Sequence, residues 1–125
     1  MNNDKQHSPD LNDMLAAQPQ QRAQFFDRLV NQYQQIWILC DDDGAVMLTS
    51  EEEDCIPVWP TKEAAELWRN DEWQSCEIMP IKLTDWYARW TVGMQEDDLC
   101  VAVFPVPGED GMVLLPEEFE ALLKH

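Results

Sequence analysis

Basic residues are scarce: 8 Lys and Arg stand against 25 Asp and Glu in 125 residues, a formal charge of −17 at pH 7. Nucleic-acid phosphates and anionic membrane surfaces are both held through lysine and arginine, so this balance argues against either as a direct partner. Histidine is scarcer still, with only His7 and His125, both near the ends of the chain. Side chains so placed are not held rigidly, which leaves a Ser–His or Cys–His nucleophilic pair without a base. No G-x-G-x-x-G or G-K-[ST] motif occurs, so the sequence offers no loop to cradle a nucleotide phosphate. No run of apolar residues approaches the ~18 of a membrane span. The opening MNNDKQHSPD lacks an apolar stretch of signal-peptide type, which predicts a cytoplasmic protein with reduced thiols.

Close cysteine pairs are missing as well. Cys40, Cys55, Cys76 and Cys100 never form C-x-x-C, the spacing on which structural zinc sites rely. Cys40 and Cys100 fall in apolar runs and read as small hydrophobes. Cys55 falls in a polar loop, where acidic neighbours raise its pKa.

What is present is enough for one globular domain. The hydrophobic fraction is 45% and six tryptophans promise large buried areas. Residues 1–10 are polar and predict a disordered tail, followed by a single domain over 11–125. Leu11, Met14 and Leu15 give a short helical stretch. Over Pro19–Gln34, residues Phe25, Phe26, Leu29, Val30 and Tyr33 share one helical face. IWILC (Ile36–Cys40) predicts a strand covered on both faces, Asp41–Gly44 a turn, and AVMLT (Ala45–Thr49) the returning strand of a β-hairpin.

An acidic loop, Ser50–Cys55, leads to a strand Ile56–Trp59. Pro57 lacks a ladder donor and implies an edge or irregular pairing there. Pro60 ends that strand, and Thr61 caps a helix Lys62–Arg69. Cys76–Leu83 predicts another strand. Thr84 is expected to cap a helix that carries Trp86, Tyr87, Trp90 and Met94 and stops at Gly93. LCVAVF (Leu99–Phe104) predicts a central strand, Met112–Leu115 a short one, and Pro116 opens the last helix. The order implies an α+β fold, with a mixed, mainly antiparallel sheet that starts with a β-hairpin and is packed by three to four helices.

The segments WILCDDDGAVML, IPVWPTKEAAELW, LTDWYARW and LCVAVFPVPGEDGMVLLPEEFEALL, in this order, resemble a small proteobacterial family catalogued as domain of unknown function 2750. The likeness runs over roughly Trp37–Leu123. It implies a small bacterial cytoplasmic α+β protein and no catalytic residue.

Candidate sites are few. Asp41, Asp42 and Asp43 before Gly44 suggest a calcium loop, but aligning that glycine with an EF-hand places Leu39 and Ser50 where carboxylates are required. Loose cation binding by Asp41–Asp43 with Glu51–Asp54 stands against the reading of a solvated charge run. No carboxylate pair among 25 acids singles itself out for acid–base work, and no cofactor is implied. The leading expectation is a non-catalytic interaction or regulatory module that binds a basic protein partner. Its contact surface would be Asp41, Asp42, Asp43, Glu51, Glu52, Glu53 and Asp54, with Trp59 and Trp73 as exposed aromatic anchors. The alternatives are an inhibitor or immunity protein for a basic nuclease or toxin, and a small metal-dependent enzyme. A core aromatic cluster is the competing reading of the tryptophans.

Overall fold

The computed structural model describes residues 11–50, 52–69, 73–109 and 111–124. The expected tail Met1–Asp10, Glu51, and both histidines lie outside them. Strand β1 (Gln35–Asp41) sets the frame: Ile36, Ile38 and Leu39 are buried, whereas Trp37 and Cys40 are only half-buried. Alternation puts Ile36, Ile38 and Cys40 on one face of IWILC and Trp37 and Leu39 on the other, so each face is covered except at one half-buried side chain. The helix before it, α2 (Pro19–Tyr33), follows a short α1 (Leu11–Ala16) and buries Phe26, Leu29 and Val30 as their spacing requires. It ends at Gln34, whose left-handed φ of 60° lets its N–H reach Val30 O at 2.7 Å.

The hairpin forms, but its second strand is short. β2 (Gly44–Ala45) pairs with Asp41 and Cys40 and then stops. Past Val46 and Met47 the chain enters β3 (Leu48–Ser50) in a different sheet, so AVMLT is not one strand. The seven strands among the described residues accordingly form two sheets where one was expected. The first has the order β2-β1-β5, with β5 spanning Glu77–Lys82. The second has the order β3-β4-β6-β7, with β4 Glu53–Val58, β6 Cys100–Val103 and β7 Met112–Leu114. Among the described residues only the β4–β6 pair is parallel. A bridge between Trp37 and Trp59, with two 2.9 Å backbone bonds, joins the sheets. Together the elements make a single, compact α+β domain.

Both strand prolines fall where no donor is needed. Along β4, Val58 O accepts from Phe104 N, while Trp59 bonds to Trp37 on the opposite side. Alternation puts the nitrogen of Pro57 on that second side. There it lies between the end of the β3 register at Cys55 and the Trp59 bridge. β4 is thus an interior strand, not an edge, with its proline in a gap. Pro80 lies opposite Trp37, whose own backbone bonds face Trp59, so the Pro80 nitrogen points outward from the edge strand β5.

Helix α3 (Lys62–Trp68) starts as expected, the Thr61 hydroxyl accepting the Ala64 N–H at 3.2 Å, with Ala64 and Ala65 buried. Helix α4 departs from expectation at both ends. It runs as Leu83–Asp85, a π-helical turn Trp86–Trp90, and Thr91–Glu96. Its cap position is Lys82, with no side-chain bond, so Thr84 lies inside the helix. Gly93 does not stop it either. Asp98 does, at a φ of 57°, with Leu99 N–H to Met94 O at 2.9 Å and Asp98 N–H to Gln95 O at 3.3 Å. The last helix, α5 (Pro116–Leu123), has its entry fixed by Glu118 Oε1, which accepts the Leu115 N–H at 2.8 Å.

Two aromatic chains pin these elements together. Phe26 and Phe119 rings lie 5.5 Å apart, Phe119 and Trp86 5.4 Å, and Trp86 stacks on Trp90 at 5.4 Å and 6°. This chain ties α2, α5 and α4. A second runs from Trp59 to Trp68 (6.2 Å) and on to Trp73 (6.4 Å). Each chain starts in the core and ends at a half-buried tryptophan beside a surface cleft.

Candidate functional site

The turn between β1 and β2 is built by its own side chains. Asp41 Oδ1 accepts the Asp43 N–H at 2.8 Å, and Gly44 adopts a φ of 118° that an L side chain resists. These two features hold Asp41 and Asp43 beside a cleft of about 340 Å³, while Asp42 stays exposed and outside its walls. Ala45, Val46 and Met47 form another wall, with Met47 52% exposed. Trp73 and Cys76 complete it, tied to each other by the Cys76 N–H to Trp73 O bond of 3.0 Å. The cleft therefore combines two carboxylates, an indole and a thioether, and among the described residues no cation lines it.

That arrangement suits a positive charge carried on an apolar stem. An indole face attracts a cation by its quadrupole, a methionine adapts to an aliphatic chain, and carboxylates accept charge-assisted hydrogen bonds. The local field also acts on the thiols: burial first, then Asp41, raises the pKa of Cys76, and the same order holds for Cys40.

The other expected contact residues separate from this cleft. Trp59 is completely buried at the end of β4, and its Nε1–H donates to Pro105 O at 2.9 Å. It offers no surface to a partner, because the bridge to Trp37 places it between the two sheets. The core reading is right for Trp59, while Trp73 is half-buried at the cleft. Glu52 is exposed in the β3–β4 turn at a φ of 67°, and Asp54 accepts the Thr49 hydroxyl across that pair at 3.3 Å. Glu53 lines a different cleft with Cys100 and Glu117. Glu51 lies outside the described residues. Asp41–Asp43 and Glu52–Asp54 thus belong to different sheets. Among the described residues no group of three or more His, Cys, Asp or Glu is arranged to hold a metal ion.

Cys55 is not in a polar loop. It is fully buried in β4, facing Cys100 in register across the parallel pair. Burial foremost, then Cys100 and the acids Glu53 and Asp54, pushes its thiol up to about 11, against the opposing Ser50 backbone bond. The four thiols are unpaired.

One charged residue escaped the sequence reading. Arg22 is 1% exposed. Its Nε donates to Phe104 O at 3.1 Å and Nη1 to Ala17 O at 2.8 Å. Its Nη2 lies 2.5 Å from Glu109 Oε1, in line for an ionic contact more than for a hydrogen bond. The signal was present: Arg22 stands four residues before Phe26 and seven before Leu29, on the apolar face of α2. It holds the loop after β6, where Phe104 takes a φ of 52° while fully buried.

No helix among the described residues is long and apolar enough to cross a membrane. The family model described as "Protein of unknown function (DUF2750)" matches residues 23–123, reaching back into α2. No curated protein and no solved structure matches the chain.

Proposed function

Because the chain belongs to the DUF2750 family, whose description names no activity, we propose from its own residues that it is a non-catalytic binding module for a basic protein partner. The observation that carries this is the sharing of one cleft by Asp41, Asp43 and Trp73. A lysine or arginine of the partner enters beside the indole and is met by the two carboxylates. The charge of −17 adds long-range steering toward a cationic surface, which raises the encounter rate more than the final affinity. A cytoplasmic setting belongs to the same reading, supported by four unpaired thiols.

The test uses a short lysine- and arginine-bearing peptide titrated into the full chain at low and high salt. Binding should weaken with added salt. Asp41→Asn with Asp43→Asn should lower affinity about tenfold, in the range found for charge-assisted bonds of ~1.5 kcal/mol, and Trp73→Ala by a similar factor. Equal affinities for the parent and both variants would overturn the assignment of the cleft. Recovery of a basic nuclease or toxin as the natural partner would place the module among inhibitors of such enzymes.

A further inference from the structure

The second aromatic chain ends at the Asp41–Trp73 cleft; the first ends at a groove on another part of the molecule. Two adjoining cavities, of about 510 and 290 Å³, share Met94 and Leu99 as walls. They lie between the C-terminal half of α4, the start of α5, strand β4 and the start of β6. Their floor is apolar, from Ile56 and Trp90 at one end to Leu115 at the other, and Leu115 is 47% exposed. The rim carries Glu53, Asp97, Asp98 and Glu117, opposed, among the described residues, by the single cation Arg89 at the Trp90 end.

The backbone keeps this groove open in two ways. The π-turn Trp86–Trp90 carries an i to i−5 bond from Thr91 N–H to Trp86 O, and Trp90 lies stacked on buried Trp86 beside the groove. Such insertions recur at functional sites. One turn later stands Gly93, and a Cβ built there would meet no atom within 4 Å. A helix-interior glycine lowers stability relative to alanine by ~0.5–1 kcal/mol, and packing does not require it here.

We propose that this groove is a docking site for a basic amphipathic helix of a partner protein, separate from the Asp41–Trp73 cleft. Apolar side chains on one face of that helix fill the floor, and flanking lysines or arginines meet the four carboxylates. A helix fits because anchors at three- and four-residue spacing match an apolar floor with charged edges. Arg89 sets the direction: the basic end of the helix lies toward Glu53 and Glu117, away from the guanidinium.

The probe is a synthetic amphipathic helix of leucine and lysine, compared with a scrambled peptide of identical composition, by calorimetric titration of the full chain. The amphipathic peptide should bind more tightly, and Leu115→Asn should weaken it about fivefold, as expected when burial of half a leucine side chain is forfeited. This variant keeps the backbone N–H that Glu118 accepts. Gly93→Met, which fills the groove from the helix side, should weaken binding by at least the same factor. Asp98→Asn with Glu117→Gln should flatten the salt dependence; asparagine tolerates the φ of Asp98, and glutamine can still accept from Gln95. Asp41→Asn with Trp73→Ala should leave the amphipathic peptide's affinity unchanged, so failure of the cleft and failure of the groove are read separately. Equal binding of the two peptides would overturn the proposal, as would an unchanged affinity in Leu115→Asn. Should Gly93→Met lose its fold by circular dichroism, Leu115→Asn decides alone.

Discussion

A Cβ added at Gly111 would press against the carbonyl of Val103, on a backbone held at a φ of 84°. At Gly93 the same atom would meet open space within a helix. Two chemically identical substitutions should therefore have opposite signs. Gly111→Ala should destabilise the fold by roughly 1–3 kcal/mol, from strain and from displaced backbone. Gly93→Ala should stabilise it by about 0.5–1 kcal/mol. Urea denaturation of the two variants beside the parent measures both. Cys55 supplies a pH signature at the same scale. Its thiol is held near 11 in the folded chain, above the ordinary 9.0. The folded state thus keeps a proton that the unfolded chain releases first. The stability contribution of the neutral thiol is complete below pH 9.0 and erodes as pH climbs toward about 11. Stability measured across that window should fall less steeply in Cys55→Ala than in the parent, and a parallel slope in the two would contradict the assignment.

The loop joining β6 to β7 owes its shape to a residue 82 positions away. Arg22 bonds Phe104 O, while Trp59 Nε1 bonds Pro105 O, so helix α2 and strand β4 both grip the same turn. Replacing Arg22 by Met keeps an apolar stem but leaves the Phe104 and Ala17 carbonyls without their donor. It should cost about 2–4 kcal/mol, the sum for two deprived acceptors, one buried and one part-buried. Glu109 is half-exposed, and its carboxylate returns to water when the arginine is absent. Glu109→Gln should accordingly cost less than Arg22→Met, and a double-mutant cycle by chemical denaturation would give the coupling between them. The elements themselves were mostly legible along the chain. Helix α2, the cap at Thr61 and the strand LCVAVF follow from spacing, a hydroxyl before an apolar face, and a run of buried residues. The stop of α4 was not legible, because glycine is the usual left-handed residue and the protein uses Asp98 instead.

Over the whole molecule, −17 charges gathered on 125 residues repel one another in the folded state more than in an expanded chain. Screening should relieve that repulsion. The thermal midpoint is expected to rise as sodium chloride goes from about 10 mM to about 150 mM, over which the Debye length shrinks from ~30 to ~8 Å. A midpoint that falls over that range would show that attractive surface pairs outweigh the repulsion. Few such pairs exist among the described residues, and two of them join Arg69 to Glu66 and Lys124 to Glu120 within one helical turn or so. The two proposed basic-partner sites draw on the same charge, but they differ in what else they would demand: an indole and a single cation at the cleft, an apolar helix face at the groove.

The sequence by itself determined most of the elements and their order, the α+β class and the sign of the surface, because these depend on periodicity, capping residues and composition. Tertiary structure decided which strands share a sheet. β2 ends after Ala45, and a two-residue strand cannot carry a continuous sheet onward, so the chain builds a second one held to the first by Trp37 and Trp59. It also decided which aromatics meet solvent. In the chain Trp59 stands between Val58 and Pro60 and Trp73 between Glu72 and Gln74, a contrast that does not by itself say which ring meets solvent. The bridge that seats Trp59 between the sheets buries it, while Trp73, packed on Trp68 at the rim, keeps part of its ring at the cleft with Asp41 and Asp43. Long-range pairing makes that choice, and no local pattern encodes it.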